Sequence, residues 1–213
     1  MSVLPRAFLL VMVVLSASAA PVAENCSLPE KVKRQELHKV LEVRWVLVEA
    51  FSDYPAGVEL LTNATSSLLE LRDANETIRF IERNKAFGKC LIFRGNMSLP
   101  DPETSNHTLH LKSATQDFDG QVSPYDDQGR ADIYQGCPDC VLIIYSGVFE
   151  GTPGKMLLIY RREGKHLDAK ELKDAQSVHR KVAECLKFNM SSQFTYDGKA
   201  GFCLERMEEE KEA

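Results

Sequence analysis

Residues 43–51 read Val-Arg-Trp-Val-Leu-Val-Glu-Ala-Phe, a β-branched and aromatic run that holds the only tryptophan of the chain. Such residues suit a pleated, buried strand better than a helix, so the run is expected to be the first strand of a barrel. Further apolar-rich segments follow at the spacing of antiparallel strands: 66–72, 77–83, 89–98, 107–112, 130–135, 141–149 and 156–162. Turn chemistry separates most of them, at Asp73-Ala74-Asn75, Pro100-Asp101-Pro102, Gly120, Pro124, Gly129 and Gly151-Thr152-Pro153-Gly154. With the first strand these make eight, enough to close an up-and-down antiparallel barrel around one small ligand. A two-sheet sandwich shares that spacing, and either way the expected class is all-β.

The period then changes. Leu172, Ala175, Val178, Val182 and Leu186 fall on one face of a helix, and Asp168 with Glu171 forms a capping pair at its start, which predicts one C-terminal α-helix packed outside the barrel. Ahead of the first strand, residues 28–41 carry a poor apolar stripe and suit a short helix that braces the barrel. Residues 52–63, with Tyr54-Pro55 and Gly57, read as a long loop over the barrel mouth, and 188–196 as a final edge strand.

The ends of the chain set its compartment. Residues 1–20 combine Arg6, an apolar run too short to span a bilayer and a small-residue end, which reads as a cleavable secretory signal cut between residues 19 and 24. Residues 21–204 are expected to be the domain and 205–213 a solvated acidic tail. The formal net charge is -5 of 213 residues, so nucleic acid is not an expected partner, and no other apolar run favours a membrane. An even set of six cysteines (Cys26, Cys90, Cys137, Cys140, Cys185, Cys203) fits an oxidising compartment, and six allow fifteen pairings. Sequons at Asn25, Asn63, Asn75, Asn96, Asn106 and Asn189 point the same way, to a secreted, extracellular glycoprotein.

Candidate chemistry is sparse. Cys137-Pro138-Asp139-Cys140 has the spacing of a thiol–disulfide enzyme, but a strand-like run follows it where an activated thiol needs a helix N-terminus, which favours a local structural bridge. Zinc would need four ligands, and His107-x-x-His110 puts its rings on opposite faces of a strand, so no metal site is expected. No nucleophile elbow, phosphate loop or cofactor motif is present, so neither catalysis nor a cofactor is expected. Binding remains. With glycan-bearing asparagines as outward markers, strand alternation puts Phe93, Met97, Leu109 and Leu111 inside, joined by Phe80. If Trp45 points inward, Leu47, Glu49 and Phe51 follow it. Glu49 then needs a partner, either an arginine such as Arg79 or Arg94 or the guanidinium or amine of a cationic ligand.

The order of elements resembles the lipocalin family, within it the branch of alpha-1-acid glycoprotein, apolipoprotein M and the fish saxitoxin- and tetrodotoxin-binding proteins. Val43-Arg44-Trp45 stands where the family has Gly-x-Trp, with the glycine missing, and the Thr-Asp-Tyr turn is absent. Residues 156–162 look like the last barrel strand, whose basic residue, Arg162 or else Arg161, lies across the Trp45 ring at the barrel base. The resemblance implies bridges Cys26–Cys185 and Cys90–Cys203, leaving Cys137 with Cys140. It also implies a plasma carrier of a small hydrophobic or amphipathic ligand (toxin, lipid, steroid or drug-like), with a lipoprotein-associated sphingolipid carrier as the alternative within that class.

Overall fold

Period-two alternation of apolar residues over segments of about ten residues gives strands buried on one face, and closing the sheet gives that face a common interior. The protein, described from a computed structural model over residues 26–100, 107–149, 151–189 and 193–204, follows this plan. In chain order it runs β1 (Glu30–Lys31), a 3-10 turn (Arg34–Lys39), β2 (Val43–Ser52), α1 (Pro55–Asn63), β3 (Ala64–Ala74), β4 (Thr77–Ala86), β5 (Lys89–Ser98) and β6 (Leu109–Phe118). There follow β7 (Gln121–Pro124), β8 (Arg130–Cys137), β9 (Cys140–Phe149), β10 (Thr152–Arg162), α2 (Ala169–Cys185) and β11 (Phe194–Thr195). Strands β8-β9-β10-β2-β3-β4-β5-β6 are neighbours, and β6 returns to β8 through Leu109↔Ala131 and His110↔Arg130. The result is a closed eight-stranded antiparallel barrel, not a sandwich. No helix among the described residues is long and apolar enough to cross a membrane.

Two apolar cores divide the molecule. The inner one fills the barrel with Trp45, Leu47, Ile78, Leu109, Val141 and Tyr160, closed below by Val32, Leu37 and Val40 of the leading segment. The outer one lies between the barrel wall and α2, where Val48, Phe51, Leu142, Ile144, Leu157 and Ile159 meet Val182, Ala183 and Leu186. The helix begins as its capping pair predicts, with Asp168 Oδ1 accepting from the Glu171 N–H at 2.9 Å. Val178 of the expected apolar stripe is nevertheless exposed, and His179 and Ala183 face the barrel in its place.

One irregularity sorts the side chains of β2. Tyr160 pairs with Leu47 and Ile159 with Glu49, so Val48 has no partner and forms a β-bulge. A bulge adds one residue to one strand and inverts the alternation beyond it. Trp45 and Leu47 therefore point in, while Val48, Glu49 and Phe51 lie on the outer side.

Three elements differ from the sequence reading. Residues 55–63 form α1 instead of a loop, because Pro55 at its first turn is pre-set for a helix and Val58, Leu60 and Leu61 can turn an apolar side toward the barrel. The strand expected at 107–112 runs on to Phe118 and turns at Gly120, which has φ +93, into β7. The edge strand near the C-terminus shortens to β11, paired with β2.

At the base, the Trp45 indole N–H donates to the Val40 carbonyl at 2.9 Å, and the Arg162 guanidinium lies 5.6 Å from the ring centroid. Trp45 is fully buried, so Trp45→Ala should cost about 3–5 kcal/mol in urea unfolding. Arg162→Ala should cost only about 1 kcal/mol; equal losses would contradict this division of roles.

Candidate ligand-binding chamber

Inside the upper half of the barrel, above Trp45, lies a chamber with about 110 Å³ open to the centre of a water molecule. One water needs roughly 10–15 Å³ on that measure, so the chamber has room for a small organic molecule. Its wall is built from inward positions of consecutive strands: Leu69 and Leu71 of β3, Phe80 and Glu82 of β4, Phe93 and Met97 of β5, Leu109 and Leu111 of β6. Strands β8 to β10 complete it, with Tyr145 and Tyr160 among their residues. Tyr54 and Leu60, at the start of and within α1, cover the mouth together with Tyr125. Gly95 is required where Phe80 crosses the interior, since a Cβ there would collide with the Phe80 ring and the Ser113 carbonyl.

The polar chemistry of the chamber is acidic. Glu82 sits deep in the barrel, and the exposure it keeps is to the chamber itself. Burial raises its carboxyl above the usual range, opposed by hydrogen bonding from Asn84 and Ser67. Behind the lining, Asp127 accepts a hydrogen bond from the Tyr145 hydroxyl, and burial raises its carboxyl as well. The hydroxyls of Tyr54, Tyr145 and Tyr160 are pushed upward, first by desolvation, so they stay protonated and act as donors. Tyr125 packs its ring at a tilt of 55° against Phe93, with centroids 4.8 Å apart. Among the described residues the chamber wall includes no lysine, arginine or histidine.

Of the side chains expected to line the cavity, Phe80, Phe93, Met97, Leu109 and Leu111 are all on its wall. Leu47 points inward but belongs to the packed core, off the cavity wall. Glu49 and Phe51 require correction, since the Val48 bulge sends both outside. Phe51 packs under α2, and Glu49 meets the His179 ring at 2.8 Å in a groove between helix and barrel. Neither Arg79 nor Arg94 is the Glu49 partner; both line a separate groove on the outer face of β4 to β6. Trp45 and Arg162 meet as expected.

The disulfides are Cys26–Cys185, Cys90–Cys203 and Cys137–Cys140. Asn63, Asn75 and Asn189 are exposed, and Asn96 faces the outer groove beside Arg79 and Arg94, whereas Asn25 and Asn106 lie outside the described residues. The segments expected to be a leader, 1–20, and a tail, 205–213, lie outside them as well. No group of three His, Cys, Asp or Glu side chains that could hold a metal occurs among the described residues.

The sequence reading missed Glu82 and the four tyrosines. Glu82 stands two residues from Phe80 on one strand, so the same alternation that placed Phe80 inside places Glu82 there too. Tyr145 and Tyr160 follow in the same way from alternation with Ile143 on β9 and Leu158 on β10, whereas Tyr54 and Tyr125 gave no such signal, because they lie outside the barrel strands.

A closed barrel with an apolar calyx and a helix docked outside is the lipocalin fold, and solved lipocalins share it. The siderocalin Ex-FABP superposes with a TM-score of 0.58 at 9% identity, over 77% of this chain and 97% of its own. Lipocalin 12 from rat epididymis superposes with a TM-score of 0.57 at 11% identity, over 82% and 91%. In sequence the chain is homologous to two proteins of Takifugu pardalis, saxitoxin and tetrodotoxin-binding proteins 1 and 2, at 34% and 33% identity over 204 residues. Those matches take in 95% of this chain, which spans about half (50%) the length of each relative. No protein-family profile matches the chain. The Takifugu relatives are named for binding saxitoxin and tetrodotoxin, and the two solved structures share the fold.

The raised Glu82 carboxyl gives a pH signature. A group whose folded value lies above its unfolded one stabilises most at low pH and loses that contribution as pH rises through the folded value. Glu82→Gln should therefore melt several degrees above the parent at neutral pH, with the gap closing toward about pH 4. A constant gap across that window in a thermal melt series would contradict the assignment.

Proposed function

We propose that the protein is a secreted, glycosylated carrier that holds a small amphipathic ligand in its calyx, with an apolar body against Phe80, Phe93, Met97, Leu109 and Leu111. The ligand carries a guanidinium or amine that pairs with Glu82. The observation that supports this most is a buried carboxylate in a chamber whose wall has no basic side chain, since buried charges demand partners. Tyrosine rings beside it add cation–π attraction, and the hydroxyl oxygens of Tyr54 and Tyr145, whose protons go to Met156 and Asp127, can accept from the remaining donors of a ligand. The toxin-binding names of the Takifugu homologues favour a cationic ligand over the lipid alternative and support placing the chain in that branch of the lipocalins. Export rests on the leader, the bridges and the exposed sequons.

Displacement of a fluorescent apolar probe from the calyx tests the reading. An amphipathic alkylguanidinium and a fatty acid should both displace it, the guanidinium more strongly. Glu82→Gln should weaken the guanidinium about tenfold or more and leave the fatty acid unchanged, while Glu49→Gln should alter neither. Equal loss for both ligands in Glu82→Gln would show that the carboxylate serves only the fold.

A further inference from the structure

The Cys137–Cys140 bridge differs from the other two in what surrounds its sulfurs. It joins the ends of β8 and β9 across a two-residue turn, with Cys137 directly opposite Cys140 in the ladder. Beside it lies Arg161 of β10, itself paired with Cys140 in register and only 6% exposed. Its Nη1 donates to Cys140 Sγ at 2.9 Å and reaches Cys137 Sγ at 3.7 Å, while the same nitrogen bonds Glu171 Oε1 on the first turn of α2 at 2.7 Å. The two sulfurs therefore differ: Cys140 is turned to a buried cation. Cys137 instead lines an open groove of about 430 Å³, walled also by Lys39, Gln135, Gly136, Pro138 and Arg162, into which Cys140 does not open.

We propose that Cys137–Cys140 is a thiol-exchange site, in which a small external thiolate attacks Cys137 from the groove and expels Cys140 as a thiolate held by Arg161. In the first step a bond forms between the external sulfur and Cys137 Sγ. The Cys137–Cys140 bond breaks, and its electron pair goes to Cys140 Sγ. The product is a mixed disulfide on Cys137 with a thiolate at Cys140, and no proton or electron is left over. A second external thiolate can attack the external sulfur of the mixed disulfide, breaking its bond to Cys137 Sγ and expelling Cys137 as a thiolate; the two protein thiolates take protons from water and an external disulfide leaves, so that the bridge is reduced as two thiols are oxidised. The reaction is a stoichiometric modification, not a turnover.

Exchange rates rise when the leaving thiol is more acidic, and a guanidinium in contact with Cys140 favours its thiolate. Opening this bridge also frees little chain entropy, because it spans 3 residues where the others span 159 and 113, so the fold survives its loss. By contrast, the buried Cys203 sulfur lies against the Asn84 carbonyl at 3.6 Å, a neighbour that disfavours a thiolate. Glu171 works against Arg161, since its carboxylate shares the guanidinium that would hold Cys140.

The test uses the full secreted chain incubated with reduced glutathione at about pH 7.5, quenched in acid, alkylated with a maleimide and mapped by peptide fragmentation. Expected is glutathione on Cys137 and maleimide on Cys140, with the other two bridges intact at the same exposure. Arg161→Gln should slow the opening about tenfold, and Glu171→Gln, an exposed change that keeps the Asp168 cap, should speed it about threefold. The paired signs separate an electrostatic role from loss of folding, which would accelerate both variants. Glutathione on Cys140, opening no faster than that of the other bridges, or an unchanged rate in Glu171→Gln would each overturn the proposal.

Discussion

Pairing of β6 with β8 closes the sheet, and from that closure the rest of the structure follows. An open sheet has two faces of equal standing, but a closed one has an inside with no route to water except its ends, so the parity of each residue along its strand fixes its environment. Apolar side chains of eight strands then share one interior, part of it packed around Trp45 and part left as a chamber. The bulge at Val48 is the single place where parity changes on β2, and it lets one strand serve two cores. Its first half fills the barrel with Trp45 and Leu47, and its second half supplies Val48 and Phe51 to the seat of α2.

That division also separates Glu49 from Glu82. Glu49, sent outside, meets His179 and helps to hold the helix on the wall. Glu82, kept inside, has hydroxyl and amide neighbours and a ring of tyrosines. A carboxylate so placed costs free energy, and in the proposed function a cationic ligand would offset that cost on binding. On that proposal, selectivity for charge would come from a wall that includes no lysine, arginine or histidine among the described residues.

Much of this was legible in the residues. Turn signals at Asp73-Ala74-Asn75, Gly120 and Gly151 located strand ends, the Asp168–Glu171 pair located the helix start, and alternation placed Phe80, Phe93, Met97, Leu109 and Leu111 on the chamber wall. The resemblance to a known family carried what periodicity could not, namely the long-range disulfides and the contact of Arg162 with Trp45. Glu49 and Phe51 were misplaced because a bulge is set by the register of two strands distant in sequence, which no local pattern of β2 records. Likewise α1 was hidden by its Pro and Gly, residues that mark a loop or a helix start with the same letters.

Glu82 is the acid of the calyx, and Glu49 belongs to the outer wall. Carboxyl-labelled glutamate followed by carbon NMR during titration with an amphipathic alkylguanidinium tests it most directly. The Glu82 carboxyl resonance should move with ligand occupancy while the Glu49 resonance stays in place. Movement of Glu49 with an unmoved Glu82 would contradict the account.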